Sequence, residues 1–185
     1  LRDSIFKFGF FNKFVVTYDK TNKRIIKWLE ENYKEKFFLF IQYFDIHEDT
    51  YGKRNKSKDK INNYDENVKI IDNAIGEVVS KLRELNLLNN TMIIITADHG
   101  EDLDQIKSRH GYKISEDEFN IPCIFYKPGL QVRNISKLTR VIDLLPTVLD
   151  FVDIKLPINL DGLSLKELII NDKDIIQEVF LESYP

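Results

Sequence analysis

The sequence predicts an α/β fold in which the strands of a mostly parallel sheet alternate with helices. Three observations carry this expectation. Phe37 to Phe44 (FFLFIQYF), Met92 to Ala97 (MIIITA) and Ile121 to Tyr126 (IPCIFY) are nearly continuous apolar runs of strand length, the pattern of strands covered on both faces. A long segment of helical periodicity lies between the first two runs, and a helix-breaking Asn89-Asn90 pair closes it. Further helical segments follow the third run, as layered α/β folds require.

The elements follow in order. Residues 1–19 mix aromatic and charged side chains without a dominant period. Asp19-Lys20-Thr21 starts a helix that sets Ile25, Ile26, Trp28 and Leu29 against Lys23, Lys27, Glu30 and Glu31 on its other side. The FFLFIQYF strand comes next. Residues 52–63 (GKRNKSKDKINN) form a polar loop whose basic residues read as a solvated surface, since Asp59 interrupts them and no aromatic interleaves. Tyr64 to Leu88 is the clearest helix, with Val68, Ile71, Ile75, Val78, Val79, Leu82 and Leu85 recurring at three- and four-residue steps. That stripe is expected to pack on the sheet, and Asp65 and Glu66 near its start suit the helix macrodipole. After the MIIITA and IPCIFY strands, a helix is predicted over Asp143 to Val152 with Pro146 in its first turn. A short helix over Leu163 to Ile170 and a last strand over Val179 to Leu181 complete the chain.

Composition excludes several classes. At 185 residues the chain has the size of one domain and enough length to bury a core. No apolar run approaches the roughly 18 residues of a membrane span. A net charge of −3 gives no reason to expect nucleic acid as a partner. The one cysteine, Cys123, allows neither an internal disulfide nor a cysteine-rich metal site, and its apolar neighbours Ile121, Pro122, Ile124 and Phe125 suggest a core position. Asn55, Asn89 and Asn134 each sit in an N-x-[ST] pattern, which an Asn-rich chain produces by chance. No GxSxG, GxxxxGK[ST] or GxGxxG occurs. The chain begins at Leu1, which leaves its compartment open.

Ligands of parallel sheets bind beyond the carboxyl ends of the strands, and two such ends here carry unusual residues. Asp45-Ile46-His47 follows the first strand and Asp98-His99-Gly100-Glu101 follows the second. Adjacent side chains on a strand point to opposite faces, so Asp98 and His99 could share one metal only if the chain bends, which Gly100 would permit. A carboxylate with an imidazole suits a divalent cation from calcium to zinc. The three histidines, His47, His99 and His110, all fall in predicted loops. The residues alone leave open that these are surface groups making local hydrogen bonds, and that Asp98 caps the segment after it.

Five stretches, in order, resemble the sulfatase family of the alkaline-phosphatase-like superfamily. Phe38 to Tyr51 (FLFIQYFDIHEDTY) is similar to a strand ending in a D-P-H-x-P-Y loop, with Ile46 in place of the proline. Tyr64 to Leu82 (YDENVKIIDNAIGEVVSKL) is similar to the family's Y-D-x-x-I-x-x-x-D-x-x-I-G helix. Asn90 to Glu101 (NTMIIITADHGE) resembles N-T-x-I-[IV]-x-T-[SA]-D-H-G-E most specifically. His110 to Pro122 (HGYKISEDEFNIP) resembles H-G-x-x-L-Y-E-E-x-x-R-V-P, with Asn120 replacing the arginine. Asp143 to Leu165 is similar to the family's D-[LI]-x-P-T…D-G-x-S-L segment.

The resemblance implies an alkaline-phosphatase-like α/β/α sandwich, incomplete here, with residues 1–185 as part of a single domain. It implies Asp98 and His99 as metal ligands, and His47 and His110 as catalytic residues contacting the sulfate or phosphate group of an anionic ester. The implied metal is calcium first, with manganese, magnesium or zinc as alternatives. The implied reaction is hydrolysis of sulfate esters. The alternatives are a phosphoglycerol or phosphoethanolamine transferase, a phosphodiesterase or phosphonate hydrolase of the same superfamily, or a non-catalytic α/β module. The family's C/S-x-P/A-x-R motif, where cysteine or serine becomes formylglycine, is not found in these residues. The nucleophile and two further metal-binding aspartates are therefore expected in an N-terminal part outside the chain, and the chain alone is expected to be inactive.

Overall fold

The computed structural model describes residues 7–11, 17–46, 60–102, 111, 114–155, 160–175 and 178–182. The chain divides into two compact units, Leu1–Met92 and Ile93–Pro185.

In the first unit β1 (Lys7–Phe11) and β2 (Phe37–Ile41) pair in parallel, with Lys7 opposite Phe37 and Phe11 opposite Ile41. A parallel pair needs a crossover, and α1 (Tyr18–Asn32) supplies it. The N–H of Tyr18, an orphan donor of the first helical turn, is accepted by Oδ1 of Asp45 at 3.2 Å. The Thr17 hydroxyl donates to Asp19. Phe38 and Phe40 remain 43% and 45% exposed, so β2 alternates rather than being covered on both faces as its apolar run suggests. Trp28 of α1 meets Phe37 edge-on, with ring centroids 5.7 Å apart.

The long helix, α2, runs Lys60–Glu84, four residues earlier than the periodicity predicts. Asp65 and Glu66 therefore fall beyond its first turn, while Lys81 and Arg83 sit in the last turn, where the macrodipole favours positive charge. Its terminator is Asn86 rather than Asn89-Asn90. Asn86 takes a left-handed φ of 58°, and the N–H groups of Leu87 and Asn86 donate back to the carbonyls of Leu82 and Arg83, a helix end that satisfies the last carbonyls. The helix packs on α1. Its buried line is Asn67, Ile71, Ala74, Val78 and Leu82, facing a unit core that includes Ile25 and Leu29. Ile75 is half-buried and Val68 exposed, because the small Ala74 occupies the closest approach. There the Asn22 amide donates to the Ala74 carbonyl at 2.9 Å and to Glu77 at 2.7 Å, and the Tyr43 hydroxyl donates to Asn22 Oδ1 at 2.6 Å. Burial, with the nearby negative charges of Glu77 and Asp45, pushes the Tyr43 hydroxyl pKa well above its ordinary value.

The second unit holds β3 (Ile93–Thr96), the short α3 (Glu116–Phe119), β4 (Cys123–Tyr126), α4 (Leu144–Phe151) and α5 (Lys166–Asn171). β3 and β4 pair antiparallel, Ile93 opposite Tyr126 and Thr96 opposite Cys123. A parallel pair would need a helix packed across the sheet face, and among the described residues this connection contains only the single turn of α3. Leu165, Leu168 and Ile169 form the core, packed by Phe125, Leu130, Ile135, Phe151 and Ile175. Cys123 is exposed at the start of β4, contrary to the core position its apolar neighbours suggest; Phe125, two residues on, is the β4 residue that packs on the core. The predicted strand over Val179 to Leu181 does not form; Phe180 is 90% exposed, and without a face to bury, that short run stays irregular.

The segment from Asp143 to Leu165 is tied by one buried group. The Asp143 carboxylate accepts the Arg140 guanidinium, the Arg140 N–H and the Leu163 N–H, each at 2.9 Å. Thr147 donates to the Asp143 carbonyl at 2.5 Å and accepts from the Leu165 N–H at 2.8 Å. Gly162 lies so close that a Cβ there would stand 2.0 Å from the Ile142 carbonyl oxygen.

Candidate active site

β3 ends at Thr96, and the chain bends at Asp98. The bend brings the two residues together: His99 Nε2 lies 3.9 Å from Asp98 Oδ1, and the His99 N–H donates to the same oxygen at 3.1 Å. One divalent ion with ligand distances of about 2.0–2.6 Å bridges donors at that separation. His99 Nδ1 lies 2.7 Å from the Gly100 carbonyl oxygen. A carbonyl can only accept, so Nδ1 donates there, and the neutral ring keeps its lone pair on Nε2, the form that binds metals. The Asp98 side chain is 77% exposed and that of His99 39%. The pair thus fits a cation as two donors of its shell; among the described residues no group of three or more His, Cys, Asp or Glu side chains could hold one.

Gly100 acts differently from the bend-former its sequence context suggests. It lacks a left-handed φ, and its need for glycine is steric: a Cβ would lie 1.9 Å from the Asp117 carbonyl oxygen. Its N–H donates to the Glu118 carbonyl at 2.7 Å, so the loop after β3 is bound to α3. The carboxylate of Glu118, a largely buried residue, accepts the Gly111 N–H at 2.8 Å. Gly111 does take a left-handed φ, +88°, where glycine is favoured. Glu118 lies inside the acidic run Glu116-Asp117-Glu118, and nothing in that run sets it apart from its neighbours in sequence.

His47 and His110 lie outside the described residues. Asp45, two residues before His47, is buried, and one of its oxygens holds the first turn of α1. Although the residue is exposed overall, partial burial of its thiol pushes the Cys123 pKa up despite a hydrogen bond with Thr96, the opposite of an activated nucleophile.

Comparison with known proteins places this geometry in a family. Residues 14–154 match the Sulfatase family model. The chain belongs to the sulfatase family. Among its relatives, arylsulfatase K of Rattus norvegicus is 38% identical over 103 residues, 54% of this chain and 18% of that protein. The matched stretch thus spans less than a fifth of that relative's length. The crystal structure of Ps i-CgsB in complex with k-i-k-neocarrahexaose is similar with a TM-score of 0.69 and 24% identity, covering 85% of this chain and 39% of that one. The phosphonate monoester hydrolase SpPMH from Silicibacter pomeroyi is similar with a TM-score of 0.56 and 26% identity, covering 69% of this chain and 26% of that one. The fold class is that of the alkaline-phosphatase-like sulfatases, and the described strands form two separate two-stranded sheets, β1–β2 parallel and β3–β4 antiparallel. Among the described residues no helix is long and apolar enough to cross a membrane.

Proposed function

We propose that this chain is part of a sulfatase and contributes Asp98 and His99 as metal ligands and His47 and His110 as contacts to the anionic group of the substrate. The reaction converts a sulfate ester and one water into an alcohol and sulfate. The observation that carries this reading is the 3.9 Å convergence of Asp98 and His99 at the end of β3, in a chain whose family match runs through both units. For that reason residues 1–185 are read as part of one domain. A bound divalent cation, calcium first and manganese, magnesium or zinc next, would supply positive charge to the oxygens of the group transferred. Asp98 contributes a hard carboxylate oxygen and His99 an oriented nitrogen; the two imidazoles of His47 and His110 donate hydrogen bonds to an anion. The nucleophile is a formylglycine outside these 185 residues, and the chain alone does not turn over substrate.

The test is an aryl-sulfate assay with calorimetric metal titration on the full-length gene product and on this chain. Full-length protein should bind calcium and turn over substrate, and Asp98→Ala or His99→Ala should lose both. Normal turnover in full-length Asp98→Ala overturns the site. A second reading, a phosphonate or phosphate ester as substrate, is favoured by the 26% identity to a phosphonate monoester hydrolase. Relative kcat/KM for an aryl sulfate and an aryl phosphonate separates the two.

A further inference from the structure

We infer that Glu118 is a positioning residue for this site, tethering the loop after His99 and the peptide after His110 to the same turn of α3. The inference rests on the reading of Asp98, His99 and His110 as site residues. Glu118 has two functions in the geometry. Its main-chain carbonyl accepts the N–H of Gly100, the residue after His99, at 2.7 Å. Its Oε2 accepts the N–H of Gly111 at 2.8 Å, and that nitrogen is covalently bonded to the carbonyl carbon of His110. Each histidine is thus followed by a glycine whose amide is bound to the same residue.

The surroundings favour a tether over a surface contact. Glu118 is largely buried as a residue, so its side chain is held against α3 rather than extended into solvent. Gly100 cannot carry a Cβ against the Asp117 carbonyl, so the loop lies in close contact with α3. Displacing a substrate contact by about 1 Å costs on the order of 100-fold in rate, which is the scale a lost tether would reach.

Turnover of para-nitrophenyl sulfate by the full-length gene product tests the inference, with Glu118→Ala, Glu118→Gln, His110→Ala and Asp98→Ala compared. Glu118→Ala should lower kcat by about 10- to 100-fold. Glu118→Gln keeps an oxygen that accepts the Gly111 N–H and should recover to within about threefold of wild type. A residue that only stabilises the fold would lower the melting temperature without this split between the two variants. Wild-type turnover in Glu118→Ala, with His110→Ala inactive, overturns the inference and leaves the site reading standing. Wild-type turnover in His110→Ala and Asp98→Ala overturns the site reading itself, and the inference with it. If Glu118→Ala does not fold, hydrogen exchange in the wild type decides: slow exchange at the Gly111 amide supports the tether, and exchange at the rate of a free peptide overturns it.

Discussion

Asp98 and Asp143 both belong to sulfatase-like motifs, yet their surroundings are opposite. Asp143 is fully buried and its carboxylate is occupied by Arg140 and by two backbone N–H groups. Asp98 is largely exposed and accepts the adjacent His99 N–H. Motif membership therefore does not distinguish a carboxylate enclosed by the fold from one left open to solvent; hydrogen-bond accounting does. The carboxylate at 143 ties the second unit together, and the one at 98, which we propose as a metal ligand, is left accessible.

Substitutions break or sharpen that contrast. Asp143→Ala should have the largest effect, about 3–5 kcal/mol, because it strands a paired guanidinium and the Leu163 N–H; urea unfolding of the chain measures it. Gly162→Ala should cost about 1–3 kcal/mol, since the new Cβ must push the Ile142 carbonyl aside. Thr147→Val removes the acceptor of the buried Leu165 N–H and should cost about 1–3 kcal/mol by the same measurement. Asp98→Ala should leave the melting temperature unchanged in chelator, with the metal absent, while removing metal binding from the full-length protein. A comparable loss of stability there would erase the contrast.

The pH dependence sharpens it further. Burial alone would raise the Asp143 pKa, but the hydrogen bonds from Arg140 and Leu163 outweigh it and hold the carboxyl below the usual range. A depressed folded value means the unfolded chain takes up the proton first as pH falls. The stabilisation is therefore complete above about pH 5, declines from about pH 4 and is lost as the folded value is passed. Urea titrations of wild type and Asp143→Asn should diverge at neutral pH and converge in acid.

Much of this was legible in the residues. The apolar runs located β2, β3 and β4 to within a few positions, and the DHG sequence located the bend where Asp98 and His99 meet. Which residues α2 buries was harder to read. Val68 and Ile75 are as apolar as Ile71 and Val78, and hydrophobicity ranks Ala74 below them all. Only the approach of α1, which Ala74 permits, decides the face. Strand direction was also hidden, because an apolar run reads alike in parallel and antiparallel pairs. Glu118 carried no signal, since a buried acceptor of backbone bonds looks in sequence like any surface glutamate.

The Asn22 amide has a consequence for how the first unit assembles. It joins residues 52 apart in the chain, and apolar side chains alone would let one helix slide past the other by a turn at modest cost. A one-turn slip would carry Asn22 away from the Ala74 carbonyl and leave a buried amide without its partners, as a single polar residue does when it sets the alignment of a coiled coil. Asn22 thus acts as a key that admits one alignment of the helix pair and rejects its neighbours. Asn22→Leu would be expected to keep the helices associated while loosening their alignment, visible as broadened amide resonances along both helices.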